Sequence, residues 1–120
     1  MNTKIEIYYY GDLKLIPENV LTEILFGRAT KDMIDNYYVK VYEYSDTIGD
    51  INSDIIYEYF EMVFRKFNDE NLNPLSYSVS KENQQRVRDL KTHTSMSVGD
   101  VIKINTEIYV ITIDGPKKVE

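Results

Sequence analysis

The 120-residue chain has no cysteine, no tryptophan and a single histidine, with only three prolines and five glycines. Without cysteine there are no disulfides, no thiolate nucleophile and no thiolate metal site, and the composition fits a reducing cytoplasm. No apolar run approaches the ~20 residues that span a bilayer. The first ten residues lack a long apolar stretch ahead of a small-residue cleavage site, so no signal peptide is expected. Neither the dinucleotide fingerprint nor the P-loop spacing occurs, which argues against nucleotide-dependent chemistry and against any cofactor. Internal repeats, low-complexity tracts and domain linkers are also missing. The length therefore reads as one domain, 1–120, around one core.

Tyrosine and acid are plentiful. Seven of the eleven tyrosines precede residue 45, and the net charge is −6. Residues 41–64 contain Glu43, Asp46, Asp50, Asp54, Glu58 and Glu61 and no Lys or Arg, while the rest of the chain is balanced. A one-sided acidic face repels nucleic acid and membrane surfaces and attracts basic protein surfaces.

Hydrophobic spacing predicts the elements. Thr3 to Tyr10 alternates, with Ile5, Ile7 and Tyr9 on one face and Lys4, Glu6, Tyr8 and Tyr10 on the other, as in a half-buried strand. Val20, Leu21, Ile24 and Leu25 recur at helical spacing after Pro17 and stop at Gly27. Thr30 can cap a short turn that buries Met33 and Ile34. A second strand follows, with Tyr37, Val39 and Val41 opposite Tyr38, Lys40, Tyr42 and Tyr44. The clearest helix is 51–67, which Ser53 can cap. Asp54, Glu58, Glu61, Arg65 and Asn68 form its solvent stripe, and Ile55, Ile56, Tyr59, Phe60, Val63, Phe64 and Phe67 form a broad apolar face. Ser80 can cap a shallow helix whose only apolar residues are Val87 and Leu90. Val101–Ile104 and Ile108–Ile113 read as a hairpin turning at Asn105-Thr106, and Gly115-Pro116 leads into a short edge strand.

Each candidate site has a plain structural alternative. His93 would be a base if Ser95, Ser97 or Asp100 stood beside it; otherwise it is a loop histidine. No catalytic residue is assigned. Asp46, Asp50 and Asp54 are spaced by four, unlike the alternate-position ligands of a calcium loop, so no metal is assigned. Lys81, Arg86, Arg88 and Lys91 form the only basic cluster, diluted by Glu82 and Asp89, where a nucleic-acid footprint needs a clearer excess. Tyr38, Tyr42 and Tyr44, with Tyr8 and Tyr10, form either a binding stripe or a face that a helix covers and cross-strand pairs stabilise.

The most distinctive string is Ser95-Met96-Ser97-Val98-Gly99-Asp100-Val101-Ile102, followed by a hairpin with Tyr109 and by Gly115. It resembles the C-terminal segment of the YodL-like domains of phage and mobile-element proteins. The run from Ile56 to Leu75, whose helix ends in Phe67-Asn68, is similar to theirs as well. The resemblance covers about the last 65 residues. It implies a phage or mobile-element setting and carries no catalytic residue.

These readings predict an α+β fold: a small, mainly antiparallel sheet of four or five strands with two or three helices packed on one face. The expected function is that of a phage or mobile-element accessory protein, not an enzyme, acting in the host cytoplasm. It would bind and inhibit or redirect a host protein with a basic surface, an anti-CRISPR role being one instance. The face assigned to this is Glu43, Asp46, Asp50, Asp54, Glu58 and Glu61 with Tyr38, Tyr42 and Tyr44. The alternative is a nucleic-acid-binding module built on the C-terminal hairpin and residues 81–91.

Overall fold

A computed structural model describes residues 3–48 and 53–119. Five strands form one antiparallel sheet in the order β2-β1-β3-β4-β5. They are β1 (Thr3–Tyr10), β2 (Tyr38–Asp46), β3 (Val101–Ile104), β4 (Glu107–Thr112) and β5 (Gly115–Val119). Four helices accompany them among the described residues: α1 (Glu18–Leu25), α2 (Lys31–Tyr37), α3 (Ser53–Lys66) and α4 (Lys81–Asp89). The fold is α+β, as the sequence predicts, with α3 and α4 carried on one face of the sheet.

The core follows the predicted periods. Ile5, Ile7 and Tyr9 of β1 are fully buried, and Ile102, Ile104, Tyr109 and Ile111 extend the same face across β3 and β4. Tyr59, Phe60, Val63 and Phe67 press the inner side of α3 onto it, and Val87 brings α4. A second, smaller cluster lies on the reverse face. There Val101 and Val110, which alternate with the first set, meet Ile24 of α1, Ile34 of α2 and Tyr38.

Local signals fix the helix ends. The N–H groups of Gly27 and Arg28 bond back to the Ile24 and Glu23 carbonyls, the paired closure of a Schellman stop. Thr30 Oγ1 accepts from the Met33 N–H and Ser80 Oγ from the Asn83 N–H, so both predicted caps form. The Ser53 side chain lies outside the described residues.

β2 departs from the predicted alternation. Ile7 pairs with Tyr42 but Tyr8 pairs with Lys40, so Val41 is an extra residue, a β-bulge. An extra residue breaks the period of two, and beyond it every side chain changes face. Val41, Tyr42 and Tyr44 therefore all join the α3 side, while Tyr38 falls on the reverse face. An Arg86 guanidinium N–H donates to the Val41 carbonyl and covers the bulged edge.

Gly99 joins the two clusters. Its φ is +98°, and a β-carbon there would lie 2.6 Å from the Ile24 carbonyl oxygen, so only glycine lets α1 approach β3 this closely. Phe60 is 2% exposed and forms an edge contact with Tyr109 at 5.1 Å between ring centroids. Phe60→Ala should cost about 3–5 kcal/mol through lost burial and the cavity left behind. Urea unfolding measures this; a cost below about 1 kcal/mol would mean that α3 presents a different side to the sheet.

Candidate functional site

The acidic window does not form one surface. Glu43 lies on the face of β2 that points away from α3, within 2.9 Å of the Lys40 ammonium and 3.4 Å of that of Lys4. It stands opposite Glu6 across the β1–β2 ladder, an arrangement of like charges that destabilises a sheet unless cations intervene. Lys40 and Lys4 intervene, at 3.3 and 4.0 Å from Glu6, and the Tyr8 hydroxyl donates to Glu6 at 2.9 Å. Burial pushes the Glu6 carboxyl up, but the Tyr8 hydroxyl and the two ammonium groups outweigh it and hold it below its ordinary 4.5. Hydrogen bonding from Lys40 holds Glu43 down as well, and burial with the Glu6 contact raises the Tyr8 hydroxyl to about 12.

Asp46, at the end of β2, accepts from the Tyr59 hydroxyl at 3.2 Å and from the Thr47 N–H at 2.8 Å, so it serves the fold. Asp50 lies outside the described residues. Asp54, Glu58 and Glu61 are exposed on α3, along the predicted solvent stripe. Among the described residues, neither Glu58 nor Glu61 takes part in an ion pair.

The tyrosines divide too. Tyr38 is 9% exposed and donates its hydroxyl to the Gly99 carbonyl, so it leaves the predicted surface for the reverse-face cluster. Tyr42 and Tyr44 are half-buried under α3. Tyr42 meets Phe67 edge-on at 5.8 Å, Tyr44 shares a 2.7 Å hydrogen bond with the Tyr59 hydroxyl, and Lys66 lies 5.2 Å from the Tyr44 ring. The helix-covered alternative describes this pair.

In their place the structure exposes Ile55 and Phe64, which periodicity assigned to the core. Tyr57 and Met62 of α3 are open to solvent as well, as is Leu72 in the following loop. Ile113, read as the end of a strand, occupies the β4–β5 turn and is 87% exposed. The Asp114-Gly115 pair was the available signal that the strand stops before it. Together with Glu58 and Glu61 these side chains make the outer side of α3 both acidic and apolar.

His93 does meet Asp100: its Nε2 is 2.8 Å from Oδ2 of the fully buried carboxylate. The Ser97 N–H and hydroxyl donate to that same oxygen, at 2.7 and 3.2 Å. Ser97 thus shares the carboxylate with His93 and does not stand at the other ring nitrogen, where a relay would need a nucleophile. Nδ1 faces Thr92 Oγ1 at 3.4 Å, and that hydroxyl donates to the Tyr10 carbonyl. The imidazole stacks on Tyr9 at 4.4 Å and lies against Tyr10 at 4.6 Å. Burial raises the Asp100 carboxyl, against the opposing pull of His93 and Ser97, and Oδ1 is buried without a hydrogen-bond partner. The cluster clamps residues 92–100 to β1. Among the described residues no group of three or more His, Asp or Glu could hold a metal ion.

The basic cluster is exposed, and each of its side chains has a partner within the chain. Arg86 holds the bulge, Arg88 donates to Gln84 Oε1 at 3.0 Å, Lys81 lies over the Tyr77 ring at 5.3 Å, and Lys91 pairs with Asp12 at 3.8 Å. No helix among the described residues is long and apolar enough to cross a membrane.

This α+β frame, with a charged and apolar outer helix, has a viral relative. The chain is 40% identical over 116 residues to the uncharacterized protein R785 of Acanthamoeba polyphaga mimivirus, a match spanning 97% of this chain and 92% of the relative. It belongs to the family of that mimivirus protein. No family model matches the chain. No solved structure matches it either.

Two tests follow from these networks. Glu6 and Glu43 have lowered folded pKa values, so their stability is fully present above the unfolded value of 4.5 and is lost as pH falls through the folded values. Urea midpoints measured from about pH 7 down to about pH 3 should fall on the acid side, and Glu6→Gln should flatten that fall. An unchanged slope in the variant would remove the network from the account. His93→Ala should cost about 1–3 kcal/mol by leaving the buried Asp100 carboxyl without its hydrogen bond to the imidazole. The double variant His93→Ala/Asp100→Asn should recover part of that; a double variant weaker than His93→Ala would show that this hydrogen-bonded pair is not what matters.

Proposed function

We propose that this protein is a viral accessory protein, without enzymatic activity, that binds a basic surface of a host protein through the outer side of α3. One observation carries the reading. On the sheet Glu6 and Glu43 are paired with Lys4 and Lys40 and Glu107 with Lys118, whereas among the described residues Glu58 and Glu61 take part in no ion pair and stand beside exposed Tyr57, Met62 and Phe64. Unpaired charge beside large apolar side chains is what steers and then holds a protein partner. The viral relative supports the setting. A virus named for an amoeba encodes it, so the partner class we take is a host protein in general rather than a CRISPR effector. The nucleic-acid alternative has weaker support, because the exposed basic cluster is diluted by Glu82 and Asp89.

The test is capture from host lysate with an affinity-tagged chain after nuclease treatment. Glu58→Lys/Glu61→Lys should weaken capture by about tenfold or more, as should added salt, because complementary charge raises the association rate. Stability should change by no more than about 0.5 kcal/mol per site, since both are exposed. Arg88→Glu should leave capture unchanged. A partner released by nuclease, or one lost with Arg88→Glu and kept by the double reversal, would overturn the proposal.

A further inference from the structure

Two of the exposed apolar residues of α3, Tyr57 and Phe64, stand on one wall of a groove. The other wall is the β4–β5 hairpin, and the groove between them has a volume of about 360 Å³. Tyr57 and Phe64 line it from α3, Ile113 and Pro116 from the hairpin, and Val98 closes one end. That volume is in the class of sites that hold one compact apolar group.

The hairpin is built to keep the groove open. Thr112 Oγ1 accepts from the Asp114 N–H at 3.1 Å and donates to the Gly115 carbonyl at 2.7 Å, which locks a tight turn with Ile113 at its tip. A β-carbon on Gly115 would lie 2.7 Å from Tyr57 Cε2, so glycine there lets the hairpin come up beside the helix. A branched aliphatic residue at an exposed turn tip adds nothing to the fold it stands on. The rim is acidic on the helix side, where Glu61 lines the groove and exposed Glu58 lies on the same helix. Glu61 also borders an adjoining depression with Glu58, Met62 and Leu72, which Arg65 and Lys66 close toward the end of the helix.

We infer that this groove is the anchor site for a short segment of a partner protein, with a Leu, Phe or similar side chain at its centre and Lys or Arg on its flanks. The inference rests on the acidic-face reading above and gives it a pocket. Charge complementarity selects the occupant: the apolar walls take the central side chain, and Glu61, with Glu58 on the same helix, takes the flanking cations. A few buried anchors inside a charged rim carry most of the energy of such contacts.

The test uses the full chain labelled with ¹⁵N and three synthetic peptides. One has a Leu-Phe centre flanked by lysines, one has the same centre flanked by glutamates, and one has a Ser-Ser centre flanked by lysines. The first should shift amide signals within 57–64 and 111–116, and the other two should bind at least about tenfold more weakly. Ile113→Ser and Phe64→Ser should each weaken the first peptide by a similar factor. Ile113 is nearly free of the fold, so its variant should melt like the parent. The inference is overturned by shifts centred on Leu25 and Phe26, by equal binding of the glutamate-flanked peptide, or by an Ile113→Ser variant that binds like the parent. Self-association removed by Ile113→Ser would make a second copy the occupant and overturns it as well. In the lysate experiment, a partner lost with Glu58→Lys/Glu61→Lys but kept by Ile113→Ser sinks the groove and leaves the acidic-face reading standing. A partner kept by both variants sinks both.

Discussion

The Gly99–Asp100 turn is gripped by every layer of the fold. The Gly99 N–H donates to the Ile111 carbonyl, and the Ile111 N–H donates to that of Asp100, which ties the turn to β4. The Gly99 carbonyl accepts from the Tyr38 hydroxyl, which ties it to the start of β2. The Asp100 carboxylate gathers His93 and Ser97, and His93 is held between Tyr9 and Tyr10 of β1. α1 closes over the same point because Gly99 has no side chain. A buried carboxyl is costly unless it is hydrogen-bonded, so His93 and Ser97 offset that cost as they fasten residues 92–100 to the turn. Both hydrophobic clusters depend on the turn, since Val101 and Ile102 leave it toward opposite faces.

Where the pattern was simple, the elements were legible. β1 alternates without interruption, the β3–β4 hairpin turns at the expected Asn105-Thr106, and α3 presents Phe60 and Val63 to the sheet as its spacing requires. The faces of β2 were not legible. A strict alternation from Tyr37 to Tyr44 puts Tyr38 with Tyr42 and Tyr44, and nothing in those eight residues marks Val41 as an insertion. The bulge is fixed by what lies outside β2: the register that Ile5 and Ile7 impose on one side of it, and the Arg86 guanidinium that meets the displaced carbonyl. A tertiary partner decided what a local period could not, and the predicted tyrosine stripe was divided between two cores.

The candidate site was legible in its charge and illegible in its shape. Glu58 and Glu61 fall on the predicted stripe of α3. Charge alone did not distinguish them from Glu43 or Asp46, because the cations that neutralise Glu43 come from β1 and from within β2, and the hydroxyl that engages Asp46 comes from α3. The groove depends on a hairpin fifty residues away in sequence coming up beside the helix, and on Gly115 being bare enough to allow it. A periodic reading also carried the strand one residue too far and so placed Ile113, its most exposed wall, inside the sheet.

The width of the apolar arc on α3 connects these points. A helix needs an apolar stripe of roughly 100° to seat on a core, and Tyr59, Phe60, Val63 and Phe67 supply it. Ile55, Tyr57, Met62 and Phe64 widen the apolar surface well beyond what the sheet covers. On the same outer side Asp54, Glu58 and Glu61 follow at spacings where like charges repel by a few tenths of a kcal/mol each. Asp54, in the first turn at the positive end of the helix dipole, offsets part of that. The surplus apolar surface does not help the domain fold or stay soluble, and the clustered charge favours solubility without helping it fold. Both are what a partner-binding side requires: the charge draws in a basic segment, and the bare aromatic surface gives its anchor somewhere to go. The fold's own needs end at the inner side of α3, and the proposed function begins at the outer one.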